Sequence, residues 1–225
     1  MSYTGDVRVG GPPDVLELPS ITVVKLAVGP MDNNAYLLRC RRTGGVLLVD
    51  AAGEADRLLA LVDEYAQGRL DRVVTTHRHP DHWGALAAVV SATGARTAAG
   101  EPDADAIPVR CDDRLVHGDS VPVGETGAGA ARLRVVSLVG HTPGSVALVA
   151  EEAEPEPHVF TGDSLFPGGV GKTHSPADFT SLLGDVEREL FGRLPDATVV
   201  HPGHGKDTTL GAERPALPEW RARGW

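Results

Sequence analysis

Apolar and polar positions along the chain follow two periods, one typical of strands and one typical of helices. In the first half, a helical pattern at 54–67 follows strand-length apolar runs at 21–28, 35–39 and 45–50. The same order recurs later, where a second long helical pattern follows runs at 132–139, 145–151 and 158–161. The periodicity alone predicts a fold of class α+β, in which helices pack against strands.

The second helical pattern carries a clear start signal. Ser175, Pro176 and Asp178 place a capping hydroxyl, a proline at the first helical position and an acid in the first turn. Apolar side chains then keep the spacing of one helix face, at Phe179, Leu182, Leu183, Val186 and Leu190. We therefore expect a helix that begins after Ser175 and packs one face on a sheet.

The densest chemistry in the chain lies in the six residues from His77 to His82. This segment holds three histidines and one aspartate, between a predicted strand at 71–75 and a predicted helix from Ala85. On a tight strand-to-helix turn, side chains two positions apart can converge on one point while the next two face a second point nearby. Imidazole and carboxylate groups together suit zinc, iron or manganese. The segment therefore predicts a site for two metal ions, whereas a plain turn would favour glycine, asparagine and serine.

A cluster of this kind predicts further ligands on other loops, and three loops supply them. Each loop follows a predicted strand and has glycine or proline beside one candidate ligand, which lets the backbone turn sharply. With the first segment they make seven candidate ligands: His77, His79, Asp81, His82, His141, Asp163 and His204.

These loops resemble the metallo-β-lactamase-fold hydrolase superfamily, and within it the glyoxalase II-like branch of hydroxyacyl-thioester hydrolases. The resemblance covers nearly the whole chain and implies a four-layer αββα sandwich with the metals at one end. It implies one metal held by His77, His79 and His141. The other would be held by Asp81, His82 and His204, with Asp163 as a bridge. Asp50, which ends an apolar run, matches the family's buried aspartate that supports the histidine loop from behind the metal ligands.

The resemblance also implies a hydrolase that uses two divalent metal ions, with zinc as the first choice and iron or manganese as alternatives. A water between two ions roughly 3.5–4 Å apart is acidified from a pKa of about 15.7 toward about 7. A metal-bridging hydroxide can therefore attack an acyl carbon at neutral pH. Asp163 would hold the metal spacing and Asp81 would orient the hydroxide, which makes both candidate catalytic residues.

The stretch from Gly162 to Lys172 most resembles glyoxalase II, and it favours a thioester as the substrate. Lys172 is a candidate anchor for a substrate carboxylate, the alternative being a solvated surface charge. Only 21 residues follow His204, where glyoxalase II carries a helical domain, so the resemblance does not extend to the part that grips glutathione. Three other activities stay open: a lactonase, a β-lactamase-type hydrolase and a persulfide dioxygenase with a single iron.

Composition agrees with one globular domain. The 225 residues are 41% hydrophobic, and we expect an N-terminal extension at 1–20 and a single domain at 21–225. A net charge of −10 argues against nucleic acid as a partner and leaves a small-molecule substrate. No run has the length of a signal peptide or a membrane span, and two cysteines are too few for a disulfide framework. We therefore expect a cytoplasmic protein without membrane contact, while the choice between monomer and homodimer stays open.

Overall fold

Two β-sheets packed face to face, with helices on both outer faces, make up the computed structural model of this chain. The structure describes residues 3–124, 128–151 and 156–224. Within these ranges the order of layers is helices, first sheet, second sheet, helices. The predicted four-layer αββα sandwich of class α+β is confirmed.

The first sheet has seven strands in the described residues: β1 Asp14–Glu17, β2 Ile21–Val28, β3 Asn33–Cys40, β4 Val46–Val49, β5 Arg72–Thr75, β6 Arg96–Gly100 and β7 Asp113–Leu115. The strands lie in the order of the chain. Pairing is antiparallel from β1 to β4 and parallel from β4 to β7. Helices make the parallel crossovers: α1 Ala55–Ala66, α2 Leu86–Thr93 and the short α3 Glu101–Ala104.

The second sheet and a small hairpin account for the remaining strands of the described residues: β8 Ser120–Pro122, β9 Arg132–Ser137, β10 Val146–Ala150, β11 His158–Gly162, β12 Leu165–Phe166, β13 Gly169–Val170, β14 Val199–Pro202 and β15 Thr208–Thr209. The sheet order is β15-β14-β11-β10-β9-β8, and β12 pairs with β13 separately. β11 and β14 are parallel, so the loops that follow these two strands leave the sheet side by side.

The outer layer of the second sheet is α4 Pro176–Asp185, which continues as a π-helix over Val186–Phe191. The predicted cap is present, since the Ser175 hydroxyl accepts a hydrogen bond of 3.1 Å from the Asp178 backbone N–H. The other helical segments are a 3₁₀ turn at Pro80–His82, α5 Leu210–Glu213, a 3₁₀ turn at Arg214–Ala216 and α6 Leu217–Arg223.

Three buried clusters fill the three interfaces between the layers. Because successive strand residues point to opposite faces, neighbours in sequence belong to different clusters. Leu37 packs under α1 and α2, whereas Leu38 packs between the sheets. Likewise Val135 lies between the sheets and Val136 packs under α4. Both sheets are thus covered on both faces, which leaves the loops at the strand ends to carry polar chemistry.

The first twenty residues take part in the sandwich. Asp14–Glu17 forms the edge strand of the first sheet and pairs antiparallel with β2. Upstream of it, the Gly5 carbonyl accepts hydrogen bonds from the Lys25 ammonium and from the Asp207 backbone N–H. The expected boundary at residue 20 therefore does not separate the described N-terminal residues from the rest of the fold.

The cysteines and the helices bear on two further expectations from the sequence. Cys40 is buried and Cys111 is half-buried, and both are free thiols. Among the helices of the described residues, none combines the length and the apolar character needed to cross a membrane.

Candidate metal centre

Four loops bring the predicted ligands together. The loop after β5 contributes four of them, and the loops after β9, β11 and β14 contribute one each. The side chains that converge are His77, His79, Asp81, His82, His141, Asp163 and His204. Short apolar strands end at the same place in space, and the turn residues that follow them aim their side chains inward.

Three histidines form a first group. Nε2 of His141 lies 3.2 Å from Nε2 of His77 and 2.9 Å from Nδ1 of His79. Burial lowers the pKa of each of the three, and neighbouring imidazoles lower it further. The three rings are therefore neutral near pH 7, the form in which histidine binds a metal.

Asp81, His82 and His204 form a second group. Oδ2 of Asp81 lies 3.5 Å from Nε2 of each histidine. The side-chain amide of Asn33 donates a 2.9 Å hydrogen bond to the same carboxylate oxygen and is almost fully buried. A carboxylate and two imidazoles within this reach match the donor set of a divalent metal ion.

Asp163 lies between the two groups. Its Oδ2 is 3.6 Å from Nε2 of His141 on one side and 3.5 Å from Nε2 of His204 on the other. Its Oδ1 is 3.3 Å from Nε2 of His82, yet this buried oxygen accepts no hydrogen bond from the described residues. A carboxylate with that surplus of acceptor capacity fits a centre completed by cations.

The charges of the centre point the same way. Burial by itself would raise the pKa of Asp163, but the neighbouring imidazoles of His204 and His82 outweigh it and hold the pKa below its usual range. Burial would likewise lower the pKa of His82, but Asp50 and Asp163 raise it to about 10. The pocket thus attracts positive charge, and the residues present fit divalent metal ions.

Four of the histidines are oriented by an oxygen on the far side of the ring. In each, Nδ1 is bound to an oxygen acceptor and Nε2 turns toward the centre. The pairs are His77 with the Thr76 hydroxyl at 3.0 Å, His82 with Asp50 at 2.8 Å, His141 with the Lys172 carbonyl at 2.6 Å and His204 with the Met31 carbonyl at 2.8 Å.

Asp50 lies beneath the loop after β5 and is hydrogen-bonded to it. Its carboxylate accepts hydrogen bonds from the backbone N–H and the hydroxyl of Thr76 and from Nδ1 of His82. The residue is buried and holds a left-handed backbone with φ 59°. A non-glycine residue pays for that conformation in strain, so the surrounding contacts must fix it.

Asp103 is a second supporting carboxylate, and sequence reasoning missed it. It is fully buried within the short helix α3 and accepts hydrogen bonds from the backbone N–H groups of Arg78 and Gly144 and from the Thr142 hydroxyl. It therefore joins the loop of His77 and His79 to the loop of His141. In sequence it reads as an ordinary acid in a helical first turn, which gives no sign that the side chain points inward.

Asn33 is another residue of the site that the sequence analysis did not identify. Asparagine is unfavourable inside a strand, and two successive asparagines open β3, which is a signal of polar function at that strand end.

For Lys172, the structure places the side chain on the surface, while its carbonyl accepts the hydrogen bond from His141.

Comparison with known proteins identifies the family. The model of the metallo-β-lactamase superfamily matches residues 28–204, which includes all seven candidate ligands. The chain belongs to the metallo-β-lactamase superfamily. The resemblance inferred from its loops is thereby confirmed.

Individual members of the superfamily are similar over most of the chain. A hydroxyacylglutathione hydrolase of Polaromonas sp. is 34% identical over 173 residues, 76% of this chain, although the chain spans only 62% of that relative's length. The di-iron-bound form of TTHA1623 is 33% identical with a TM-score of 0.69, covering 84% of this chain and 96% of that one. The B3 metallo-β-lactamase BLEG-1 is 25% identical with a TM-score of 0.75, covering 87% and 97% respectively.

Proposed function

We propose that this protein is a dinuclear metal-dependent hydrolase that cleaves a thioester of the glyoxalase II type. The observation that carries the proposal is the position of Asp163, whose carboxylate lies within 4.0 Å of ligand nitrogens from both groups of the centre. The similarity to proteins named hydroxyacylglutathione hydrolase supports the choice of a thioester.

In this proposal each group would hold one ion, and Asp163 would contribute a ligand to both. When bound, the two ions supply a water nucleophile acidified to act near neutral pH and a Lewis acid for the acyl carbonyl. Zinc is the first choice for a donor set of imidazoles and carboxylates, and iron and manganese also accept it. The similarity to a protein crystallised in a di-iron form makes iron a required comparison in any metal assay.

Asp163 and Asp81 are the proposed catalytic residues. Asp163 fixes the separation of the two groups, because its two carboxylate oxygens face ligands from both. Asp81 is half-buried, so its carboxylate can meet a water that enters with the substrate, orient it and accept its proton. Asn33 holds one oxygen of the Asp81 carboxylate by a hydrogen bond and so fixes the orientation of the group.

Lys172 is the proposed anchor for a carboxylate on the substrate. We predict that Lys172→Met raises KM for an acyl thiol that carries a carboxylate by about tenfold, as expected for loss of one charge-assisted hydrogen bond, and leaves kcat nearly unchanged. Lys206→Met is the matched control, because Lys206 is also exposed and lies close to His204 in sequence. An equal effect on an acyl thiol without a carboxylate would refute the anchor.

The activity is tested by initial rates on matched substrates with protein of known metal content. We expect hydrolysis of S-acyl thiols, with Asp81→Asn and Asp163→Asn both losing activity and metal. Turnover of a lactone or a chromogenic β-lactam in place of the thioesters would reassign the hydrolase. One iron per chain, oxygen consumption and no hydrolysis would replace it with the dioxygenase.

A further inference from the structure

A buried lysine lies beneath the loop that carries His204. Lys25 is in the middle of β2, on the same strand face as Ile21 and Val23, and its side chain is completely buried. Its ammonium donates to the Gly5 carbonyl at 2.7 Å, the Gly205 carbonyl at 2.8 Å and Asp207 Oδ1 at 2.6 Å. All three ammonium hydrogens thus have acceptors, and two of the three acceptors lie within three residues of His204.

Asp207 contacts two further side chains through its other carboxylate oxygen. Its Oδ2 accepts from the Tyr3 hydroxyl at 2.5 Å and lies 2.7 Å from Nδ1 of His201. Burial would raise the pKa of Asp207, but His201 and Lys25 hold it at about 2, so the group is a carboxylate at neutral pH. Burying an ammonium and a carboxylate costs desolvation free energy that hydrophobic residues would not cost. A contribution to folding stability is therefore a weak explanation for the presence of this pair.

The geometry of the loop indicates what the pair does. Carbonyl oxygens on both sides of His204 are held by strands β2 and β3. The Pro202 carbonyl accepts from Tyr36 and Asn34, and the Gly205 carbonyl accepts from Lys25 and Asn34. Since the loop backbone is fixed by these bonds, the His204 ring is fixed with respect to Asp81 and Asp163.

The N-terminal residues cover this hydrogen-bond network on its outer side. Gly5 has φ 67°, and a Cβ at this position would lie 2.8 Å from Asp207, so the backbone here passes directly over the ion pair. Asp14 in β1 holds this segment by accepting from the backbone N–H groups of Thr4 and Gly5. The segment from Tyr3 to Gly5 is thereby tied to both the edge strand and the His204 loop.

We propose that Lys25 and Asp207, covered by Tyr3–Gly5, are positioning residues that set the metal affinity of the group formed by Asp81, His82 and His204. The inference goes beyond the proposed function, because it concerns metal affinity and holds for any substrate. It also gives the N-terminal residues a part in the metal centre. Among the described residues, neither side chain has a hydrogen bond to a ligand side chain. Lys25 acts through the Gly205 carbonyl, and Asp207 acts through Lys25.

The test is zinc retention against a competing chelator, with elemental analysis of ions per chain. We expect Lys25→Met to weaken one of two ions by about 10- to 100-fold, the range found when partners behind metal ligands are removed, and to spare the other. The double variant Lys25→Met/Asp207→Asn removes both buried charges and should keep the same defect. Glu189→Gln is the matched control, because Glu189 is another buried carboxylate paired with arginines, but it lies in the π-helix away from the centre.

A double-mutant cycle separates positioning from general destabilisation. In a His204→Ala background, Lys25→Met should cause no further loss, because its route to the metal is already broken. Equal weakening of the remaining ion in that background would overturn the proposal, as would wild-type zinc affinity in folded Lys25→Met. If Lys25→Met does not fold, Tyr3→Phe decides in its place: it removes one hydrogen bond to Asp207 and should weaken the same ion, and unchanged affinity would refute the proposal.

Discussion

Asp50 and Asp103 hold the two halves of the metal centre from behind. Asp50 acts within one loop, where it fixes Thr76 and the His82 ring. Asp103 acts between loops, because its acceptors reach the backbone of Arg78 and of Gly144. Because these loops are already ordered, the histidines can bind a metal without a further loss of loop entropy.

Asp103→Asn is predicted to weaken the first ion by about 10- to 100-fold, because the amide cannot accept all the hydrogen bonds that join the two loops. Zinc retention against a chelator measures the effect. The matched control is Asp105→Asn, since Asp105 lies two residues away but is exposed and pairs only with Arg114 among the described residues. Unchanged metal affinity in Asp103→Asn would refute the supporting role assigned to Asp103.

His158 makes the metal-free protein less stable in acid. Burial and the neighbouring His201 lower its pKa from 6.5 to about 4 in the folded state. Between these values the unfolded chain binds a proton that the folded chain does not, so stability falls as the pH falls from 6.5 toward 4.

Urea unfolding of the metal-free protein at pH 7.5 and pH 5 measures this effect. We predict that His158→Gln loses less stability on acidification than the wild type does. His174→Gln serves as the control because His174 is exposed. The assignment fails if the two variants show the same pH dependence.

At the level of single residues, the sequence predicts side chains whose context is local. The seven candidate ligands all lie in short turns that contain glycine or proline and follow an apolar strand, and that pattern can be read directly. Asp103 and Lys25 owe their roles to contacts with residues far away in sequence, such as Gly144 and Gly205. Nothing in their own neighbourhoods distinguishes them from a helix-start acid and a surface lysine.

Among the structural elements, the ends of strands β11 and β14 bring Asp163 and the His204 loop into backbone contact. The Gly203 N–H donates to the Gly162 carbonyl at 2.8 Å. A Cβ at Gly203 would overlap Asp163 Oδ1 and lie 2.8 Å from a ring carbon of His82. The two loops can approach this closely only because a hydrogen occupies that position.

We predict that Gly203→Ala lowers metal affinity by about tenfold or more, since either Asp163 or His82 must move. Gly184→Ala is the control: it lies in α4 with nothing within 4 Å of the added methyl, and we expect it to raise stability by about 0.5–1 kcal/mol. Chelator titration and thermal unfolding of both variants separate the two outcomes. Normal metal affinity in Gly203→Ala would show that the two loops can accommodate a Cβ at this position.

The elements differ in how well the sequence predicts them. Helix α4 follows from its cap and its apolar face, and both are present in the structure. The hairpin of β12 and β13 has strands of two residues each, too short for any period to show. It is held in place by a distant side chain, because Glu213 accepts from the Gly168 backbone N–H.

For the whole molecule, periodicity predicts the class α+β but not the pairing of strands. Parallel pairing of β11 with β14 joins residues on either side of α4, and no local pattern specifies that partner. The arrangement of the layers came instead from the resemblance carried by the ligand loops. The sandwich then explains the site, since both sheets are covered on both faces and the polar chemistry gathers where their strands end.

The proposed function requires two metal ions at this site and the hydrolysis of a thioester. The most direct measurement is the rate of hydrolysis of an S-acyl thiol as metal-free protein is loaded with zinc, and separately with iron, with ions per chain determined at each point. We predict that hydrolysis rises to its full value only as the second ion binds. Full activity with one ion, or two bound ions with no thioester hydrolysis, would contradict the proposed function.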